Sequence, residues 1–265
     1  MLFAASLNSG SNGNCYYVGN HRDAVLIDAG ISCRETEIRM NRLGLSIKNV
    51  KAIFVTHEHR DHVKGLRMIS KKYQLPVYIT PATLQQRVSV KRHLVANFEA
   101  YKPVKVGSLT VTGFPKFHDA SDPHSFIVAN ATVKVGVFTD LGVACSHVIN
   151  HFKQCHAAFL ESNYDDYMLE TGRYPVHLKN RIKSDVGHLS NRQALELFLT
   201  HRPPFMSHLF LSHISKENNS PTVVENLFKK YPTDTNIIIA SRYKETKVFA
   251  IHDRAVNQET QLSLF

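Results

Sequence analysis

Four side chains that could bind a metal ion lie within six positions of the chain. They are His57, His59, Asp61 and His62. An apolar run, Lys51–Thr56, comes directly before them and is expected to form a strand. Imidazole and carboxylate groups suit Zn, Mn or Fe better than a metal that prefers sulfur ligands. In an extended chain residues 57, 59 and 61 point the same way, and a turn at 60–62 would swing His62 towards a neighbouring metal. The segment therefore predicts a metal site at the end of a strand.

Three further metal-capable residues each follow an apolar, strand-like run later in the chain. They are His118, Asp140 and His213. Because strand ends converge on a common rim, we expect these side chains to approach the first segment. A two-metal centre needs about seven ligands, including a carboxylate between the metals. The two sets together supply that number.

In chain order, these seven residues resemble the ligand signature of the metallo-β-lactamase superfamily. The signature is His57-x-His59-x-Asp61-His62, then His118, Asp140 and His213. The resemblance covers nearly the whole chain, beginning with the expected strand Ala24–Asp28. It implies an α+β fold, the four-layer αββα sandwich, with two divalent metal ions at one edge of the sheets.

The resemblance also implies a role for each ligand. His57, His59 and His118 would hold one metal, and Asp61, His62 and His213 would hold the second. Asp140 would bridge the two, with a shared hydroxide as the nucleophile. The residue types do not choose among Zn, Mn and Fe.

The retained Asp61 favours one branch of the superfamily. β-Lactamases of this fold usually carry cysteine at a second-site position, whereas phosphodiesterases such as tRNase Z keep the full ligand set and add a Glu–His pair. Glu161 and His188 resemble that pair. Phosphodiester cleavage requires protonation of the departing alkoxide, which a histidine can supply if a carboxylate holds its tautomer. The alternatives are a structural salt bridge for Glu161 and a loop or capping role for His188.

More specific strings resemble the YycJ (WalJ) subfamily of bacterial proteins. They are Ser9–Asn14, His118–Ala120, Gly187–Asn191 and Leu211–Asn219. This resemblance implies a single-domain exonuclease acting on DNA, with 5′-to-3′ polarity proposed. Neither an inserted β-CASP domain nor the long arm of tRNase Z is visible in the sequence.

The charge balance favours a polyanionic partner such as nucleic acid, because the formal net charge is +10 and the pI about 9.4. The alternative is a basic surface with no nucleic-acid partner.

The Gly-, Ser- and Asn-rich loop 8–14 could present N–H groups to a phosphate, or could be a simple turn. The candidate substrate contacts are Ser11, Asn12, Asn163, Lys216 and Asn218. Basic residues that flank the His188 loop are Lys179, Arg181, Lys183 and Arg192.

The cysteines, the N-terminus and the lengths of the apolar runs indicate the cellular compartment. The four cysteines form no C-x-x-C pair, so free thiols in a reducing compartment are expected. The N-terminus does not resemble a signal peptide, and no apolar run reaches membrane-spanning length. We therefore expect a cytoplasmic protein with one domain over residues 1–265, a polar tail from about residue 250, and no obligate protein partner.

Elements that would position these residues can be read from apolar patterning. Expected strands are Leu2–Leu7, Cys15–Val18, Ala24–Asp28, Lys51–Thr56, Val77–Thr80, Leu109–Gly113, Ser125–Ala129, Val133–Thr139, Ala157–Leu160, Leu209–Ser212 and Ile237–Ala240. Apolar residues at helical spacing follow the first histidine segment, and two later helices are expected to begin at the caps Ser190 and Ser220.

Two functional alternatives remain open: a hydrolase of small thioesters, lactones or phosphodiesters with a closed pocket, and a non-catalytic interaction protein.

Overall fold

Two seven-stranded sheets form the centre of the protein, whose computed structural model describes residues 1–253. In spatial order the first sheet contains β14 (Phe249–Ile251), β1 (Leu2–Asn8), β2 (Cys15–Gly19), β3 (Ala24–Ile27), β4 (Val50–Phe54), β5 (Val77–Tyr78) and β6 (Val95–Ala96). The second contains β13 (Asn236–Ile239), β12 (His208–Ser212), β11 (Ala157–Glu161), β10 (Lys134–Phe138), β9 (His124–Ala129), β8 (Leu109–Pro115) and β7 (Val104–Val106).

Each sheet is antiparallel on one side and parallel on the other. β1, β2 and β3 pair antiparallel, whereas β3, β4, β5 and β6 run parallel. In the second sheet β7 to β10 are antiparallel and β10 to β13 parallel. Parallel strands end at the same edge of a sheet, so the segments that follow β3, β4, β10, β11 and β12 can meet there.

Helices cover the outer faces of both sheets. Those within the described residues are α1 (Cys33–Arg42), α2 (Arg60–Val63), α3 (Leu66–Tyr73), α4 (Pro81–Gln85), α5 (Ser146–Phe152), α6 (Asp166–Thr171), α7 (Val176–Lys183), α8 (Asn191–His201) and α9 (Pro221–Phe228). Met40 of α1 and Ile69 of α3 pack on the first sheet. Phe152 of α5, Phe198 of α8 and Phe228 of α9 pack on the second. The expected four-layer αββα sandwich is thereby confirmed.

The sheets face each other through one apolar core. Phe54 of the first sheet contacts Phe126 of the second with ring centroids 5.5 Å apart. Tyr16 similarly meets Phe159 at 4.9 Å. All four side chains are fully buried, so the core fixes the relative position of the two sheets and of the strand ends beyond it.

The expected helix starts agree with the structure. The Ser190 hydroxyl accepts a hydrogen bond from the Gln193 N–H, and the Gln193 side chain accepts one from the Ser190 N–H, which makes a capping box at the start of α8. Ser220 caps α9, and Pro221 is its first residue. No helix within residues 1–253 is long and apolar enough to cross a membrane.

Several expected boundaries were wrong. The strand before the histidine segment ends at Phe54 rather than Thr56, because the Thr56 N–H donates to Asp28 Oδ1 instead of to a neighbouring strand. Asp61 and His62 lie on the helical turn α2. Strands β6, β7 and β14 were not expected, since each has only two or three residues. The expected tail overlaps β14 at residues 250 and 251, and residues 254–265 of that tail lie outside the described residues.

Candidate metal centre

The seven candidate ligands lie together at one edge of the two sheets. They form groups of three or four, one of which also includes Glu161 and His188, and within each group the ligand atoms lie within 4.8 Å of one another. The groups are His57, His59, His118; His57, His62, Asp140; Asp61, His62, His213; and Asp140, Glu161, His188, His213. His57 to His62 follow β4, His118 follows β8, Asp140 follows β10, and His213 follows β12. Both sheets therefore contribute ligands to this edge.

In the first group, hydrogen bonds at Nδ1 orient the histidines. The Thr56 hydroxyl donates to Asp28 Oδ2 at 2.8 Å, so it can only accept from Nδ1 of His57, 2.9 Å away. His118 Nδ1 lies 3.0 Å from the Gly187 carbonyl oxygen, which can only accept. Both rings are thus protonated at Nδ1, and their Nε2 lone pairs are free for a metal ion.

The group of Asp61, His62 and His213, called the second group from here on, is oriented by two buried carboxylates. His62 Nδ1 lies 2.7 Å from Asp28 Oδ2, and His213 Nδ1 lies 2.8 Å from Glu161 Oε1. On the opposite side of each ring, Nε2 faces Asp61 Oδ2, at 3.5 Å from His62 and 3.7 Å from His213. The arrangement again leaves the Nε2 atoms facing the centre of the cluster.

Asp140 lies between the two groups. Its Oδ2 is 3.2 Å from His62 Nε2, and its Oδ1 is 3.9 Å from His118 Nε2. Burial alone would raise its pKa, but the imidazoles of His213 and His62 hold the pKa of this carboxyl well below its usual range. Asp140 is therefore an anion placed where it can contact ligands of both groups.

Unpartnered polar atoms indicate that the cluster fits metal ions. Among the described residues, Nε2 of His57 and Nε2 of His213 are buried without a hydrogen-bond partner. Leaving such atoms without a partner is costly. Nitrogen and oxygen atoms that converge in this way match the ligand preference of Zn²⁺ and related divalent ions.

The Glu161–His188 pair lies beside the ligands. Glu161 Oε1 is 2.8 Å from His188 Nδ1, and Glu161 is fully buried while His188 remains partly exposed. Glu161 Oε2 accepts N–H bonds from Leu141 and Leu189 at 2.7 and 3.1 Å. Burial would raise the pKa of Glu161, but His188 and His213 lower it to about 2. The carboxylate thus remains ionised and fixes His188 with Nδ1 protonated.

The candidate substrate contacts fall into an exposed and a buried set. Asn12 Nδ2 donates to the Arg242 carbonyl at 2.8 Å, and Ser11 accepts from the Arg242 guanidinium at 3.3 Å. Lys216 is exposed. By contrast, Asn163 is 8% and Asn218 1% exposed, and Asn163 donates to the His213 carbonyl at 2.9 Å.

Basic residues near His188 have acidic or carbonyl partners. Arg181 pairs with Asp119, and Lys183 Nζ lies 3.0 Å from Glu170 Oε2. Lys179 Nζ donates to the Glu170 carbonyl at 2.5 Å. All three belong to α7, whereas Arg192 lies in the first turn of α8.

Sequence reasoning missed two buried polar residues that touch the ligands. Asp28 was treated only as a strand end, yet it binds His62 and accepts the Thr56 N–H at 2.8 Å. Its position after an apolar run is the same signal that identified Asp140 and could have identified it. Asn14 was included only in a flexible loop, but its Nδ2 lies 3.1 Å from Asp61 Oδ2.

A two-sheet sandwich with a histidine–aspartate cluster at one edge defines the chain as a metal-dependent hydrolase of the metallo-β-lactamase fold. The model of the Beta-lactamase superfamily domain matches residues 23–214, and the chain belongs to this superfamily. The resemblance inferred from the ligand order is thus confirmed.

Two relatives agree with the subfamily resemblance. Exodeoxyribonuclease YycJ of Bacillus anthracis is 37% identical over 226 residues, which cover 82% of this chain and 84% of the relative. Exodeoxyribonuclease WalJ of Streptococcus pneumoniae serotype 2 is 29% identical over 222 residues, which cover 80% and 81%. The crystal structure of YhfI, a metallo-beta-lactamase fold protein from Bacillus subtilis, matches 94% of this chain and 100% of its own with a TM-score of 0.72 at 14% identity, which supports the fold.

Proposed function

We propose that the protein is a dinuclear metal-dependent phosphodiesterase that degrades DNA as an exonuclease, with 5′-to-3′ polarity. The observation that carries the proposal is the Glu161–His188 hydrogen bond of 2.8 Å beside a complete set of candidate ligands. A metal centre alone suits many hydrolyses, whereas an oriented histidine next to it suits the release of an alkoxide. The names of the YycJ and WalJ relatives support DNA as the substrate.

The ligand roles in this proposal follow the two groups. His57, His59 and His118 would hold one divalent ion, Asp61, His62 and His213 would hold the other, and Asp140 lies where it could serve both. When bound, the ions supply Lewis acidity that neutralises the non-bridging phosphate oxygens and activates water. Zn, Mn and Fe all suit these ligands.

His188 donates the proton that the leaving group needs. Its Nδ1–H is held by Glu161 Oε1, so in the imidazolium form the Nε2–H is the group that donates its proton to the 3′ oxygen of the departing nucleotide and leaves a neutral imidazole. Glu161 acts through His188, because its own oxygens are engaged with His188, His213 and two backbone N–H groups. The pair therefore completes the proton balance of phosphodiester cleavage.

Substrate is held on the exposed side of the centre. Ser11, Asn12 and Lys216 are the surface residues that we assign to contact the nucleic-acid backbone, in keeping with the net charge of +10. Burial makes Asn163 and Asn218 supports of the site rather than contacts, and Asn163 holds the His213 backbone. We place this single-domain enzyme in the cytoplasm.

A panel of end-labelled nucleic acids tests the proposal. Single- and double-stranded DNA and RNA are incubated with protein loaded separately with Zn²⁺, Mn²⁺ or Fe²⁺. We expect DNA labelled at the 5′ end to lose its label first, as short products. Release from internal positions, or from RNA alone, would contradict an exodeoxyribonuclease.

Ligand variants test the metal centre in the same assay. We expect Asp140→Ala and His62→Ala to abolish cleavage while circular dichroism and thermal unfolding show a folded protein. The exposed His93→Ala, near the far edge of the first sheet, is the control and should retain activity. Near-normal cleavage by metal-loaded Asp140→Ala would rule out the proposed centre.

A further inference from the structure

A fully buried asparagine approaches the second group of ligands from the N-terminal strands. Asn14 Nδ2 lies 3.1 Å from Asp61 Oδ2 and 3.0 Å from His62 Nε2. The Asn14 backbone N–H also donates to the Asp61 carbonyl at 2.7 Å. Asn14 therefore holds Asp61 through both its side chain and its main chain.

The orientation of the Asn14 amide is fixed by its oxygen. Oδ1 accepts the Gly10 N–H at 2.9 Å and the Tyr16 hydroxyl at 3.1 Å. Because a backbone N–H can only donate, the oxygen must face Gly10 and the NH₂ group must face the ligands. If Asn14 only closed its own loop, Oδ1 would be enough, and nothing would direct Nδ2 at the ligand Asp61, whose Oδ2 accepts its N–H.

The hydrogen-bond chain continues to the third ligand of the same group. Tyr16 Oη lies 2.8 Å from Ser9 Oγ, and Ser9 Oγ accepts the His213 backbone N–H at 2.7 Å. The donors run in one direction, from Ser9 to Tyr16 to Asn14 to Asp61. All three intermediate side chains are at most 1% exposed. Such a fully satisfied buried chain is rigid.

The first group has different support. Nδ1 of His57 is bound by Thr56, and Nδ1 of His118 by the Gly187 carbonyl. In the described residues the hydrogen bonds of the Ser9, Tyr16 and Asn14 side chains lead to Asp61, His62 and the His213 backbone. The side chains of Ser9, Asn14 and Tyr16 therefore support one half of the centre.

We propose that Ser9, Tyr16 and Asn14 are positioning residues that set the affinity of the second metal site independently of the first. The inference rests on the proposed two-metal centre and adds that different residues support its two metal sites. Hydrogen-bonded partners behind metal ligands typically change metal affinity by about 10- to 100-fold. The buried residues Ser9 and Asn14 of the loop 8–14 are thereby explained by the metal, whereas the exposed Ser11 and Asn12 remain the proposed backbone contacts.

Metal titration of Tyr16→Phe and Asn14→Ala tests the inference without an activity assay. Calorimetry and metal analysis with Zn²⁺ and Mn²⁺ should show two ions in the wild type. In each variant we expect one of the two affinities to fall by about 10- to 100-fold, while the other stays within about 2-fold. The Co²⁺-substituted variants should show a changed absorption spectrum for one site only.

Tyr17→Phe is the matched control, because Tyr17 is the next residue of β2, equally buried, and packs in the core on the other face of the sheet. It should leave both affinities unchanged. Equal losses at both sites, or no loss in Tyr16→Phe and Asn14→Ala, would overturn the inference. A wild type that binds a single ion would instead contradict the two-metal centre itself.

Discussion

At the scale of single residues, the candidate ligands differ in the charge that their surroundings favour. Burial lowers the pKa of His57 well below its usual range and that of His118 to about 4. Burial would also lower the pKa of His213, but Asp140, Asp61 and Glu161 raise it to about 10. His57 and His118 are thus neutral and ready for metal, whereas a metal ion that binds His213 must displace a proton.

His188 is the residue whose replacement should distinguish chemistry from binding. We expect His188→Ala to slow cleavage of DNA by about 10²- to 10⁴-fold, because no other group then protonates the departing oxygen. Cleavage of an activated aryl phosphodiester should change little, since its leaving group needs no proton. The measurement is kcat on both substrates for wild type and variant.

Metal content and His93→Ala serve as controls for the His188 comparison. Both variants should bind the same amount of metal as the wild type, and His93→Ala should cleave both substrates normally. Equal losses on both substrates in His188→Ala would show that His188 does not act on the leaving group.

Residue types could be predicted at this scale, but not their partners. His118 and His213 stood out because each follows an apolar strand. Asn14 did not, since its role depends on Asp61, 47 positions away, and on a Tyr16 hydroxyl that only the fold brings near. An amide in a glycine-rich loop has the same local signature whether it supports a metal or closes a turn.

At the scale of elements, three strand ends turn sharply into the site. Asp28, Asp140 and His213 have φ values of 63°, 55° and 55° after β3, β10 and β12. Such left-handed conformations are uncommon for residues other than glycine and cluster at functional sites. They bend the chain as each strand ends, so that each side chain points into the shared edge.

Gly30 lets two of these segments approach each other closely. A Cβ atom at Gly30 would lie 1.6 Å from the Asp61 carbonyl oxygen and 2.5 Å from the Asn14 nitrogen. We therefore expect Gly30→Ala to lower the free energy of unfolding by about 3 kcal/mol or more and to reduce bound metal. Urea unfolding and metal analysis measure the two effects.

Gly44→Ala provides the matched control for Gly30→Ala. Gly44 has a φ of +67°, and no atom of the described residues lies within 4 Å of the position of its Cβ. Alanine there costs only backbone strain of about 1–2 kcal/mol and should leave metal content unchanged. If Gly30→Ala behaved like Gly44→Ala in both measurements, the close approach would be unimportant.

Most strands of the core could be predicted from the sequence, whereas β6, β7 and β14 could not. The strands of the core have runs of β-branched and aromatic residues, as in β9 and β11. β6 and β7 contain two and three residues, which are too few to show the two-residue alternation of apolar and polar side chains that marks a strand. They form because a neighbouring strand pairs with them. The same is true of α2, whose four residues are held by Asp61 and His62 contacts across the site.

At the scale of the whole molecule, metal ions would join the two sheets. Ligands come from β4 in the first sheet and from β8, β10 and β12 in the second. A ligand that binds only the folded state at 100 times its Kd adds about 2.7 kcal/mol of stability. We therefore expect removal of metal by a chelator to lower Tm by on the order of 5 °C, reversibly on adding Zn²⁺ or Mn²⁺. Calorimetric scans that are identical with and without metal would show that the ions do not link the sheets.

The net charge predicts how strongly salt weakens DNA binding. The slope of log affinity against log salt should be about −0.7 for each single-strand phosphate contacted. We expect Lys216→Gln to reduce the slope by about one such contact, whereas Lys91→Gln, exposed beside β6, should not. Fluorescence anisotropy at several salt concentrations measures this. An affinity that does not depend on salt would show that the net positive charge does not contribute to DNA binding.

The architecture could be predicted because seven ligands in a fixed order define it more strongly than any strand pattern. His57 to His62, His118, Asp140 and His213 indicated the two-sheet sandwich before any element was certain. The pairing of β1 with β14 could not be predicted, because the two segments lie at opposite ends of the described chain and three residues on each side form the contact.

That pairing has a consequence for synthesis on the ribosome. Phe249 to Ile251 are translated more than 240 residues after their partners, Leu2 to Ala4. At about 5–20 residues per second, roughly 10–50 s pass while the outer edge of β1 stays unpaired. An open edge can pair with strands of other chains, so this edge of the nascent chain is exposed to aggregation until β14 has been translated.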